Sequence, residues 1–135
     1  MFVLDCSVTM AWLFEDEKTE FTERMLDKLL KEHAIVPSLW FLEVVNVLLV
    51  AEKRKRCTPA QSVRFLETLK SLPIEVDEAD LKLRCEPLLL MARSATLSSY
   101  DAAYVDCALR FEYPLATLDT HLRKVGKEEG ITILQ

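Results

Sequence analysis

The sequence predicts an α/β protein of one domain, residues 1–135, built as a three-layer α/β/α sandwich around a small central parallel β-sheet. Three observations lead there. Five short apolar segments, FVLD, AIVPS, IEVD, PLAT and ITIL, recur along the chain, each of a length that suits a strand buried on both faces. Between them lie longer stretches with apolar residues at helical spacing, and such alternation implies a parallel sheet covered by helices. The composition agrees: 50% hydrophobic and 29% charged residues, with two glycines and five prolines in 135 residues, suit one packed core with little room for linkers.

The elements follow in order. FVLD (Phe2–Asp5) is a first strand that ends in an acid, and a short helix fits within Ser7–Phe14. Thr19–His33 carries Phe21, Met25, Leu26, Leu29 and Leu30 on one helical face. AIVPS (Ala34–Ser38) is a second strand, stopped by Pro37. Leu39–Lys55 reads as a long helix, apolar for three turns and then basic at EKRKR. Thr58 as N-cap and Pro59 in the first turn open the next helix, which runs to Ser71 ahead of Pro73.

IEVD (Ile74–Asp77) is a third strand, followed by a helix over Glu78–Arg93 in which Pro87 calls for a kink or a nearby break. Ser98 or Ser99 caps a helix over Tyr100–Phe111. PLAT (Pro114–Thr117) gives a fourth strand, Thr120–Glu129 a last helix closed by Gly130, and ITIL (Ile131–Leu134) a fifth strand.

Several classes of function fall away. Net charge is −5 and the isoelectric point about 5.1, which argues against indiscriminate nucleic-acid binding through a basic surface. It does not exclude a nuclease whose acids gather at a metal. Cys6, Cys57, Cys85 and Cys107 are far apart with no C-x-x-C pair, so buried free thiols are expected rather than zinc ligands or disulfides. His33 and His121 are the only histidines, which leaves little scope for histidine catalysis. Asp5 and the absence of a basic segment at the N-terminus, with no long uninterrupted apolar run, lead us to expect a cytoplasmic protein without a membrane span.

The acids supply the chemistry. Ligands of open parallel sheets sit beyond the carboxyl ends of the strands. Asp5 ends the first strand and Asp119 lies just past the fourth, so both face that edge. Asp101 starts a helix, where the dipole favours a carboxylate. Glu43 stands on the apolar helix with no basic residue within a turn. Carboxylates converging on one pocket raise each other's pKa unless a counter-charge is present. Oxygen donors suit hard ions such as Mg²⁺ or Mn²⁺, and the chemistry such a site best serves is attack of water on a phosphodiester.

The segments VLDCSVTMAWL, LEVVNVLL, SSYDAAYVDCA and PLATLDTHL, in this order and spacing, resemble the PIN-domain ribonucleases, and among them the VapC-type toxins of toxin–antitoxin pairs. The resemblance spans the chain. It implies an acidic quartet of Asp5, Glu43, Asp101 and Asp119, with Mg²⁺ or Mn²⁺ as cofactor. Asp5 and Asp101 would be direct ligands. Asp119 and Glu43 would complete the set, Glu43 through water or as the group that orients and deprotonates the attacking water. It further implies an RNA substrate, a homodimer and a cognate antitoxin protein. Ser7 and Thr117 match small hydroxyl positions beside the site, and Asn46, one turn after Glu43, is a candidate hydrogen-bond partner.

Other residues have two readings each. Arg54 in the EKRKR run, with Arg123 and Lys124 after Asp119, are candidate RNA contacts or simply solvated helix residues. Trp12, Trp40, Tyr100 and Tyr104 are candidates for base stacking or for core. Asp106 points roughly 140° away from Asp101 on the same helix. It is therefore assigned to a surface, to an ion pair such as one with Arg110, or to a dimer contact.

Rival readings are a non-toxin PIN nuclease of RNA processing, a non-catalytic RNA-binding or regulatory PIN domain, a haloacid-dehalogenase-like phosphatase and a phosphoacceptor receiver. The phosphatase loop needs a second Asp where this chain has Ser7. The receiver needs an adjacent acidic pair and a lysine after the last strand, and both are missing.

Overall fold

The computed structural model describes all 135 residues. A parallel sheet of four strands, β1 (Phe2–Leu4), β2 (Ala34–Val36), β3 (Ile74–Val76) and β4 (Leu115–Ala116), has the order β3-β2-β1-β4. Around it lie α1 (Cys6–Met10), α2 (Glu20–Lys28), α3 (Trp40–Lys53), α4 (Pro59–Ser71), α5 (Leu81–Ala95), α6 (Ser99–Phe111) and α7 (Thr120–Glu128). Every residue of β1 and β2 is buried, as their continuous apolar runs require in a sheet covered twice.

The strand order fixes where a ligand can go. The chain steps outward from β1 to β2 to β3, then jumps back over β1 to reach β4. Right-handed crossovers put α1–α4 on one face and α5–α6 on the other, and α6 packs directly on β1. The direction reverses between β1 and β4, and at such a switch point a crevice opens beyond the strand ends. Asp5 leaves β1 at that point.

Local signals explain the helix ends. Thr58 and Gln61 make a reciprocal capping box with Pro59 in the first turn of α4. Ser98 Oγ accepts the Asp101 N–H at 3.0 Å to start α6. Gly130 takes φ +81° after α7, a value at home only in glycine.

Three expectations are corrected. ITIL is not a strand: only Ile133 forms a single parallel bridge to Leu115, flanked by hydrogen bonds from Leu115 to Thr132 and from Leu134 to Leu115, both 2.9 Å. With β4 just two residues long, and Pro114 unable to donate, no longer ladder can form. α2 stops at Lys28 rather than His33 because Leu29, Leu30 and Lys31 make tight bonds to the third residue back. Leu30 is thereby turned outward, 81% exposed. Cys85 is exposed on α5, while Cys6, Cys57 and Cys107 are buried and all four are free. α5 runs through Pro87 without interruption, and no helix is long and apolar enough to cross a membrane.

Candidate active site

Asp5 is the residue after β1, and its N–H still donates to Ala116 O at 3.0 Å, so the sheet itself aims it. Its side chain is not spent on capping α1. One carboxylate oxygen, Oδ2, accepts the hydroxyls of Ser7 and of Thr117, the latter at 2.6 Å. Each hydroxyl also accepts a backbone N–H from the loop after β4: Ser7 from Leu118 and Thr117 from Asp119, both at 3.0 Å. Two hydroxyls thus tie Asp5 to the loop that carries Asp119. Asp119 in turn caps α7, its Oδ1 accepting the Leu122 N–H at 2.7 Å.

The other two acids arrive from opposite faces. Glu43 sits in the first turn of α3 and Asp101 in the first turn of α6. Tyr104, one turn beyond Asp101, donates its hydroxyl to Glu43 Oε2. Together Asp5, Glu43, Asp101 and Asp119 line one cavity of about 690 Å³, joined by Glu17 from the 3₁₀ turn at Glu15–Glu17. Asn46 and Ser7 are on its wall as well. Five acids line it and no Lys, Arg or His does. Glu17 is paired with Arg56, whose Nη1 lies 2.9 Å from its carboxylate, so the uncompensated charge that defines the site is that of Asp5, Glu43, Asp101 and Asp119.

The electrostatics register that imbalance. Burial raises the Asp5 carboxyl above its ordinary value; hydrogen bonds from Ser7 and Thr117 pull the other way, and the Asp101 charge adds to the rise. Burial also raises Glu43, opposed by the Tyr104 hydroxyl and reinforced by Asp5 and Asp101. Burial, with the charges of Asp5 and Glu43, drives the Tyr104 hydroxyl far upward, so it remains a donor. The Cys6 thiol is likewise pushed up by burial and then by Glu43 and Asp5. It stays protonated and is no nucleophile.

An all-oxygen donor set with excess negative charge fits a hard divalent cation. No three of the acids stand close enough to make a finished ligand cluster. Mg²⁺ in general keeps several of its waters and takes few protein oxygens directly.

The remaining candidates separate clearly. Arg123 lies beside the site, but its Nε donates to Thr117 O at 2.7 Å and its guanidinium sits 5.2 Å from the centre of the Phe21 ring. Lys124 is exposed beside Glu128, and Arg54 is exposed at the end of α3. Neither lines the cavity. Of the aromatics, Trp40 and Tyr104 are fully buried and Trp12 donates to Thr22 O, while Tyr100 is 61% exposed on the cavity wall.

Asp106 is buried, not at the surface. It accepts from Arg84 and from Arg110, whose Nε lies 2.8 Å away, and Arg110 also grips the buried Asp77. The expected pairing with Arg110 is present, with Arg84 and Asp77 added to it.

Sequence reasoning missed Glu17 and the role of Tyr104. The spacing of Asp101 and Tyr104, three apart on one helix, places them on a common face and could have linked them. Glu17 lies in a charged turn with no periodicity to mark it.

Comparison with known proteins agrees with this architecture. The model of the PIN domain matches residues 2–128. Among solved structures, the chain is similar to PAE2754 from Pyrobaculum aerophilum, with a TM-score of 0.71 and 23% identity, covering 92% of this chain and 83% of that one. It is also similar to FitAcB from Neisseria gonorrhoeae, with a TM-score of 0.68 and 16% identity over 100% of this chain and 97% of that one. At such identities the likeness is one of fold. No curated protein matches the sequence. With the family model spanning nearly the whole chain and the acids gathered at the switch point of its sheet, the chain belongs to the PIN domain family.

Proposed function

We propose that this protein is a metal-dependent endoribonuclease and the toxin of a toxin–antitoxin pair, with Asp5, Glu43, Asp101 and Asp119 as its catalytic residues. One observation carries the reading: a cavity at the β1/β4 switch point walled by five acids and no base. PIN domains are generally nucleases, and the resemblance to VapC-type toxins points to RNA. Asp5 and Asp101 would hold Mg²⁺ or Mn²⁺, with Asp119 a further ligand and Glu43 reaching it through water. Such an ion lowers the pKa of a bound water and stabilises charge on a phosphate.

The protein's own groups do the rest. Ser7 and Thr117 hold Asp5 in one rotamer against the loop of Asp119. Glu43, its carboxyl raised above the ordinary value by burial, stands on the cavity wall where it would accept a proton from an attacking water. The exposed ring of Tyr100 offers a stacking face for an unpaired base. Asn46 supplies an amide at the same wall.

Surfaces support the partners. From the cavity, α3 extends a row of exposed apolar side chains, Leu42, Val45, Leu49 and Val50, the kind of face that an apolar segment of an antitoxin would cover. α5 buries none of its residues fully and exposes Leu81, Leu83, Leu89 and Leu90, which supports a homodimer through that helix.

The test is cleavage of defined single-stranded and structured RNAs by purified protein, with Mg²⁺ or Mn²⁺ and with a chelator. Internal cleavage that depends on the ion and stops with the chelator is expected. Cleavage that persists in the chelator, or none across a broad set of RNAs, would count against the reading.

A further inference from the structure

We propose that Tyr104 is the positioning residue for Glu43, fixing that carboxylate at the cavity across the gap between the two helical layers. The inference rests on the nuclease reading above and adds a residue to it. Glu43 is half-exposed on α3 and has no cationic neighbour; its carboxylate makes one hydrogen bond to protein, from the Tyr104 hydroxyl. The two residues are 61 positions apart in the chain, so the bond is a tertiary one. Tyr104 itself is fully buried. Its ring is gripped by the core, so the hydroxyl at its tip is a fixed point, whereas a glutamate on a helix surface otherwise samples several rotamers.

The placement of that fixed point also matters. Asp101 and Tyr104 share one face of α6, and Ser98 caps the helix at the Asp101 N–H. One rigid helix therefore presents one acid directly and orients a second through the tyrosine. With the hydroxyl bound at Oε2, the Glu43 carboxylate is turned so that Oε1 and the second lone pair of Oε2 are left for a water. Such supporting contacts to ligand and base carboxylates commonly affect metal affinity or activity by 10–100-fold.

Tyr104→Phe removes one oxygen and keeps the ring, so the core stays filled; a melt by circular dichroism confirms the fold. Two readouts apply to the wild type, Tyr104→Phe, Glu43→Gln and the double variant. One is kcat and apparent KM on a labelled pool of random-sequence single-stranded RNA. The other is the midpoint of the Mn²⁺-induced rise in melting temperature, which needs no activity.

For Tyr104→Phe the expected result is a fall in kcat of about 10–100-fold, little change in KM, and a weaker Mn²⁺ midpoint. Neither loss deepens further on the Glu43→Gln background, because the tyrosine acts only through the glutamate. Wild-type kcat and Mn²⁺ midpoint in Tyr104→Phe would overturn the proposal. So would losses that add in full to those of Glu43→Gln, the signature of a general packing effect. If the wild type cleaves no RNA, the nuclease reading fails, and the Mn²⁺ midpoints still decide the role of Tyr104.

Discussion

Exchanging Asp101 for Asn is expected to lower the proposed ion-dependent RNA cleavage by at least about a hundredfold and to leave the fold unchanged. Asp101 stands in the first turn of α6, partly exposed at the cavity, and its backbone N–H is capped by Ser98 rather than by its own side chain. The carboxylate makes no hydrogen bond or ion pair that the helix needs, so its loss costs the fold little. It does remove one of the charges that would hold the cation. Losing several kcal/mol of transition-state charge stabilisation corresponds to two or more orders of magnitude in rate. Single-turnover cleavage beside a thermal melt checks both halves. Retained cleavage would remove Asp101 from the site.

The second large effect lies on stability. Asp106→Ala is expected to destabilise the fold by about 2–3 kcal/mol and lower the melting temperature by roughly 10 °C. Asp106 is buried between two guanidiniums, and Arg110 continues the network to the buried Asp77. Removing one partner of a buried pair costs about 3–5 kcal/mol; the arginines here are 28% and 26% exposed and regain some water, which reduces the figure. Urea unfolding measures it. The proposed ion-dependent cleavage, assayed well below the melting temperature, is expected to stay at the wild-type level. The two aspartates of SSYDAAYVDCA thus divide: Asp101 for the cavity, Asp106 for the joint between α5, α6 and the end of β3.

Much of this was legible in the chain. Strand-end acids at Asp5 and Asp119 follow from short apolar segments stopped by polar residues, together with the rule for open parallel sheets. The capping residues Thr58 and Ser98 marked helix starts directly. What local pattern could not reveal is contact at a distance. Arg84 meets Asp106 across 22 positions and Arg110 meets Asp77 across 33, and no periodicity encodes such pairings. The ITIL segment has the apolar pattern of a strand, yet pairing is limited by its two-residue neighbour. Leu30 fits a helical face whose helix had already ended.

The central claim is that the uncompensated acids at the β1/β4 edge hold a hard divalent cation. The measurement is the melting temperature from pH 4 to pH 8, with and without Mn²⁺. Asp5 and Glu43 have carboxyls raised above their ordinary 3.8 and 4.5. The folded state therefore holds these protons longer than the unfolded chain does. Their contribution to stability is present below those ordinary values and is lost as pH rises through the raised ones.

A cation that binds the ionised acids reverses that loss. Its stabilisation is expected to be small near pH 4 and to grow toward pH 8, reaching about 2.7 kcal/mol at a hundred times its Kd. A Mn²⁺ effect that is absent, or that is the same at every pH, would contradict the account.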